Sequence, residues 1–209
     1  ATTNWDTYLS ELFGNTRKHL LEFTKPGSDE KLTPADVKAN ASEENWKLYQ
    51  ALLKTVPTTN APKSIGDFNY EYRNGKLVNK DTGRPFHWCG QKHYDSLGDC
   101  LINDIQNLMT DDYGLQEVFL PLDAQPQEPT VNIFTSDNWQ TCDTLLLIIQ
   151  GSGAVRAGQW ARALCINNTL DDGTILPYLQ QAKERGWGVV VFNPNANRGY
   201  TITKEKDGE

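Results

Sequence analysis

The sequence predicts an α/β protein: a helical N-terminal segment, then a mixed sheet that becomes parallel and is covered on both faces. Three observations carry this. Residues 1–60 place apolar side chains at helical spacing. From residue 64 onward, short alternating or apolar runs are separated by helical stretches. The last two runs, Leu145–Ile149 and Trp187–Phe192, are nearly all apolar and flank a helical stretch, as strands buried on both faces do.

Taken in order, Trp5, Tyr8, Leu9, Leu12 and Phe13 form the stripe of an amphipathic helix, which Gly14 interrupts before Leu20, Leu21 and Phe23. The stretch KPGSDEKL reads as a loop. Thr33, with Pro34 after it and Asp36 three residues on, is a helix start, and Trp46, Tyr49, Leu53 and Val56 are the buried stripe that follows. VPTTNAPKS is a linker. FNYEYRNGKLVN alternates around Asn74-Gly75, the strongest short hairpin signal. A helix over Gln91–Met109 aligns Tyr94, Leu97, Leu101, Ile105 and Leu108. Strands are expected at Leu115–Leu120, Val131–Thr135, Asp143–Ile149 (the most buried) and Trp187–Phe192, with a helix over Ile175–Arg185 before the last. The end, GYTITKEKDGE, is polar and expected to be mobile.

Composition narrows the function classes. A chain of 209 residues with 38% hydrophobic and 10% aromatic residues is globular. No apolar run approaches the roughly 20 residues of a membrane-spanning helix. A net charge of −7 argues against a broad electrostatic grip on nucleic acid, while leaving room for a small local basic patch. Cys89, Cys100, Cys142 and Cys165 form no C-x-x-C pair, so two disulfides are permitted and none required. Asn40 and Asn167 head glycosylation sequons that count only on a secretory route. These residues leave the compartment open.

The run IIQGSGAVRAGQWARALCINNTLDDGTILPYLQQAKERGWGVVVFNPN closely resembles the Argonaute-binding-protein-two ("Arb-two") domain family, in particular its cotranscriptional-regulator branch. The upstream stretches FNYEYRNGKLVNKDTGRPFHW and QKHYDSLGDCLINDIQNLMTDDYGLQEVFLPLDA also match, so the resemblance covers residues 64–197. It implies the N-terminal half of an α/β-hydrolase-like three-layer fold. In that fold the turn after the third strand supplies oxyanion N–H groups and the nucleophile elbow follows the fifth. Asp143–Ile149 would be the third strand and Trp187–Phe192 the fourth; no G-x-S-x-G elbow is present. The expected organisation is a helical segment 1–60, a half-domain 64–197 and a polar tail 198–209.

Candidate site residues cluster at the ends of these two strands. Gly151, Ser152 and Gly153 form the oxyanion-type turn, or equally a glycine turn needed only for packing. The family usually has His where Gln150 stands. Ser152 has no base beside it in the motif and is not read as a nucleophile. Arg156, Gln159 and Trp160 are ligand or partner candidates; an ion pair for Arg156 and a core place for Trp160 are the plainer readings. Asn193 and Asn195 flank Pro194 at a strand's C-terminal end, where open α/β sheets bind ligands, though turn chemistry alone also favours Asn and Pro. His87, Cys89 and His93 lack a fourth zinc ligand, and Asp111-Asp112 and Asp171-Asp172 read as helix-end or turn residues.

The leading expectation is a protein-interaction or regulatory subunit with no catalytic residue, cofactor or metal in this chain, linked by resemblance to Argonaute-type partners and small-RNA silencing or cotranscriptional regulation. The alternatives are a serine hydrolase of the esterase type, whose nucleophile and His come from elsewhere, and a secreted or luminal member. If Trp187–Phe192 ended the sheet, Val189–Val191 would leave an apolar edge unpaired. A second polypeptide, or a cleaved C-terminal half, is therefore expected to complete it.

Overall fold

The computed structural model describes residues 4–58, 61–125 and 128–196, which divide into two compact units: residues 1–104 with 163–173, and residues 105–162 with 174–209. Parts of the linker and the polar tail at 198–209 lie outside the described residues.

In the first unit, Asn4 caps helix α1 (Trp5–Gly14) by accepting from the Asp6 and Thr7 N–H groups. Thr33 and Asp36 form the reciprocal capping box of α2 (Pro34–Asn40). The single helix expected after Thr33 is in fact two. Ser42 starts α3 (Glu43–Leu53) by accepting from Asn45 N–H, and its own N–H donates to Asp6 Oδ1 at 2.9 Å. A competing cap thus breaks the run and ties it to α1. Leu9, Phe13, Leu20, Phe23, Val37 and Tyr49 form the core between these helices, with Cys89 packed among them.

Strands β1 (Tyr70–Arg73) and β2 (Lys76–Asn79) pair antiparallel. Asn74 and Gly75 both have positive φ, 52° and 75°, the backbone an I′ hairpin turn requires. Helix α4 (Gln91–Asp111) buries Leu97, Leu101, Ile105 and Met109. Short helices α5 (Arg162–Asn167) and α6 (Leu170–Gly173) follow later in the chain. Gly173 leaves no room for a side chain: a Cβ there would meet Cys165.

The second unit is built on strands β3 (Gln116–Leu120), β4 (Val131–Thr135), β5 (Leu145–Ile148) and β6 (Gly188–Val191), with α7 (Leu176–Glu184) leading into β6. Their order is β3-β4-β6-β5, with β4 antiparallel to both neighbours and β5 parallel to β6. The mixed sheet is as expected, but two details of the expectation are corrected. β6 is internal and buried at every position, so Val189–Val191 is not an edge. The edge is β5, expected to be the most buried strand, and it is covered on one face only. Leu145, Leu147 and Ile149 are 41%, 53% and 62% exposed, whereas Ile148 is buried. In the sheet β6 has strands on both sides, and β5 has one neighbour among the described residues.

Candidate functional site

Loops at the C-terminal ends of β5 and β6 meet in the second unit, and carboxamides hold them. Asn195 grips the loop after β5: its Nδ2 donates to the Gly151 and Val155 carbonyls at 2.7 and 3.0 Å, and its Oδ1 accepts from Gly153 N–H at 3.2 Å. Asn193, buried, accepts from Ala157 N–H at 3.0 Å and donates to Asn132 Oδ1 at 2.6 Å. Asn132 Nδ2 in turn donates to Gln106 Oε1 at 3.4 Å, and Gln106 Nε2 returns to the Ala157 carbonyl at 3.2 Å. The ring closes through one backbone unit. Asn132 also donates to Glu117 Oε1 at 2.7 Å. Each group so paired avoids the penalty of burying a polar group without a partner, on the order of 1–3 kcal/mol.

Of the oxyanion-turn candidates, Gly151, Ser152 and Gly153 are all exposed, and the Gly153 N–H is spent on Asn195. Arg156 does not reach outward for an anion; its Nη1 donates to the Gly153 and Val155 carbonyls at 3.4 and 3.1 Å, bracing its own loop. Trp160 is 38% exposed and stands edge-on to the exposed Tyr178, with ring centroids 5.8 Å apart. Gln159 is fully buried, its backbone bridged to Thr174. Neither its side-chain amide nor that of buried Gln150 has a hydrogen-bond partner among the described residues. Between them Gly158, at φ 101°, presses against α4: a Cβ there would lie 2.6 Å from Ile105 Cγ2 and 2.8 Å from Met109 Sδ.

Of the candidate residues, Asn193 and Asn195 clasp the Gly151–Ala157 loop, whereas Gln159 is bridged to Thr174 and Trp160 stands against Tyr178. Gln106 and Asn132 were missed. The only available signal was an Asn inside the otherwise β-favouring run VNIFT.

The other chemistry-bearing side chains belong to the first unit. His87 and His93 hydrogen-bond through Nε2 to the carbonyls of Lys18 (2.9 Å) and Thr55 (2.7 Å), and burial lowers the pKa of both. No grouping of His, Cys, Asp and Glu suited to a metal ion occurs among the described residues. All four cysteines are free. Burial pushes the Cys165 thiol up to about 12 and Cys100 up to about 11, and raises Cys89 as well, so none of these three offers a thiolate near neutral pH. The sequon residues Asn40 and Asn167 are both exposed, with Nδ2 donating to the Asp36 and Ala163 carbonyls.

The sequence matches the Arb2 domain over residues 62–207, a stretch that includes the clasp, the ring and both of their loops. The chain belongs to the Arb2 domain family. Helices α1–α3 precede the matched stretch. Among curated Arb2 relatives, the chain is 40% identical over 160 residues to the "Cotranscriptional regulator ARB2A homolog" of Gallus gallus, covering 72% of this chain and 38% of that protein. It is 35% identical over 189 residues to the human "Cotranscriptional regulator ARB2A", covering 86% and 45%. It is 42% identical over 138 residues to the homolog of Dictyostelium discoideum, covering 65% and 35%. The aligned part is thus less than half the length of each of these Arb2 proteins. No solved structure matches the chain.

Proposed function

We propose that this Arb2 chain is a regulatory, protein-interacting unit whose sheet is the first half of an α/β-hydrolase-like sheet and whose own residues carry out no reaction. The observation that carries this reading is the open edge of β5 with Leu145, Leu147 and Ile149 in solvent beside it. An apolar edge strand of this kind is a template for another strand. In the α/β-hydrolase plan, oxyanion donors follow the third strand and the nucleophile elbow follows the fifth, so the two strands must lie close together. Strand β5 is third in chain order within this sheet, and its free edge leaves a place for a fifth. The names of the relatives support a regulatory role.

By resemblance, Argonaute-type proteins are the partner class and nucleus or cytoplasm the compartment. Native material should be sized and its cross-linked peptides mapped. The reading expects cross-links from β5 to a further polypeptide segment and no fluorophosphonate labelling of this chain. A lone, soluble monomer of 23.5 kDa would contradict it. Labelling of the completing segment would convert the reading to a shared serine hydrolase.

A further inference from the structure

The first unit carries a pair of joined clefts that the sheet and its loops do not explain. Arg17 and Trp88 line both. The cleft on one side, about 520 Å³, is polar and is also lined by Lys18, His19 and Glu22. The cleft on the other, about 580 Å³, is aromatic and is also lined by Phe86 and Tyr94. Both volumes fall in the roughly 300–1,000 Å³ range of small-molecule sites.

Three features make this more than a surface hollow. First, in a chain of net charge −7, Arg17 and Lys18 sit side by side at one cleft with no ion pair among the described residues, so two positive charges converge there. Even Glu22, in the same cleft, makes no ion pair with them. Second, the backbone that presents these cations is pinned. Trp88 N–H donates to the Thr16 carbonyl at 2.8 Å, and the His87 ring donates to the Lys18 carbonyl at 2.9 Å. Leu21 N–H donates to His19 Nδ1 at 3.0 Å, which orients the ring and leaves Nε2 as its other nitrogen. That nitrogen lies against Gly90, where a Cβ would be only 2.5 Å from it. Gly90 has φ 95°, so the chain both bends and makes room for the ring at one position. Third, Trp88 packs against Tyr94 with ring centroids 5.4 Å apart, so two of the rings that line the aromatic cleft hold one another in place.

A polar cleft with two cations, sharing Arg17 and Trp88 with an aromatic one, matches a ligand that has a phosphate at one end and a flat ring at the other. A guanidinium fork suits phosphate oxygens, and nucleobases stack on aromatic side chains without regard to sequence. We propose that the joined clefts bind a nucleoside monophosphate, either free or as the 5′-terminal nucleotide of a strand. The phosphate contacts Arg17, Lys18 and His19 Nε2, and the base lies on Trp88.

Titration of the whole chain with AMP, followed by tryptophan fluorescence and calorimetry, tests this. AMP should bind with Kd below about 1 mM. Adenosine and inorganic phosphate should each bind at least about tenfold more weakly, since each supplies half of the contacts. The double variant R17A/K18A should lose at least tenfold in AMP affinity with an unchanged melting temperature. Trp88→Phe, which keeps a stacking ring, should retain more affinity than Trp88→Ala. A 5′-phosphorylated trinucleotide separates the sources: tighter binding than AMP assigns a strand end, equal or weaker binding a free nucleotide, and both uphold the site. Phosphate binding as well as AMP, or AMP affinity unmoved in R17A/K18A, overturns the proposal.

Discussion

The two units differ less in their interiors than in what their edges leave open. The first closes its core around rings and neutral histidines: Phe23 meets His87 edge-on at 5.8 Å, and Phe68 meets His93 edge-on at 5.2 Å. It buries the carboxamides of Asn45 and Asn79, as the second buries that of Asn193. Buried polar atoms without a partner among the described residues occur in both, His87 and His93 Nδ1 in the first and the amides of Gln150 and Gln159 in the second. The second differs at its sheet edge, where Leu145, Leu147 and Ile149 lie in solvent beside β5. The difference teaches that an exposed apolar strand edge, and not a polar interior, is what points to docking.

Four substitutions or conditions sharpen that contrast. The largest effect is expected from Gly158→Ala in the second unit. Overpacking against Ile105 and Met109 adds to left-handed strain, for a loss of about 2–4 kcal/mol in urea unfolding. A loss below about 1 kcal/mol would mean the loop yields and the packing against α4 is not tight.

Next is Asn193→Ala, which strands the Ala157 N–H and the Asn132 amide. It should cost about 2–3 kcal/mol and speed hydrogen exchange at Ala157, while exchange at the β1–β2 hairpin stays as it was.

The third prediction concerns acid and the first unit. Burial holds His87 and His93 below the ordinary histidine value, so the unfolded chain binds protons that the folded chain refuses. Their stabilising contribution is whole above the unfolded pKa of about 6.5 and is lost as pH falls below it toward the lower folded values. His19 also bears on both rings, adding like charge once protonated; Tyr70, whose hydroxyl accepts from His87 N–H, and Cys89 stay neutral there. Thermal melts between pH 7.5 and 5 should show the fall, and it should flatten in the H87N/H93N double variant. An equal slope in both proteins would move the acid sensitivity elsewhere.

The smallest effect on stability should come from Leu147→Thr on the exposed face of β5. Unfolding should shift by no more than about 0.5 kcal/mol. Cross-linking to the completing segment and self-association of the isolated chain should both drop, and no change in either would detach the apolar face from any docking role.

Much of this was legible locally. Asn74-Gly75 specified the hairpin, Thr33 and Asp36 the capping box, and the apolar stripe of α4 its buried face, because each depends on residues within a turn or two of one another. The α2–α3 break was missed because Ser42 competes as a cap only once Asp6, far earlier in the chain, accepts its N–H. The burial of β5 and β6 was misjudged for a similar reason. Two apolar runs look alike in sequence, and which one is internal depends on pairing with β4 across a long loop. At the candidate site, the glycines and asparagines were visible as loop residues. Their joint role was not, since the ring through Gln106 and Asn132 unites positions from a helix, a strand and two loops.

The central claim, that β5 is an open edge awaiting a further strand, can be read amide by amide. Gly188 N–H donates to the Thr144 carbonyl and Phe192 N–H to that of Ile148, so the even-numbered residues of β5 face β6 and Leu145, Leu147 and Ile149 face outward. Hydrogen exchange on the chain alone and on the native assembly is the direct test. The account predicts fast exchange at Leu145 and Leu147 beside protected Leu146 and Ile148 in the chain alone, with Leu145 and Leu147 becoming protected in the assembly. Protection of Leu145 and Leu147 in the isolated chain, or their continued fast exchange in the assembly, would contradict it.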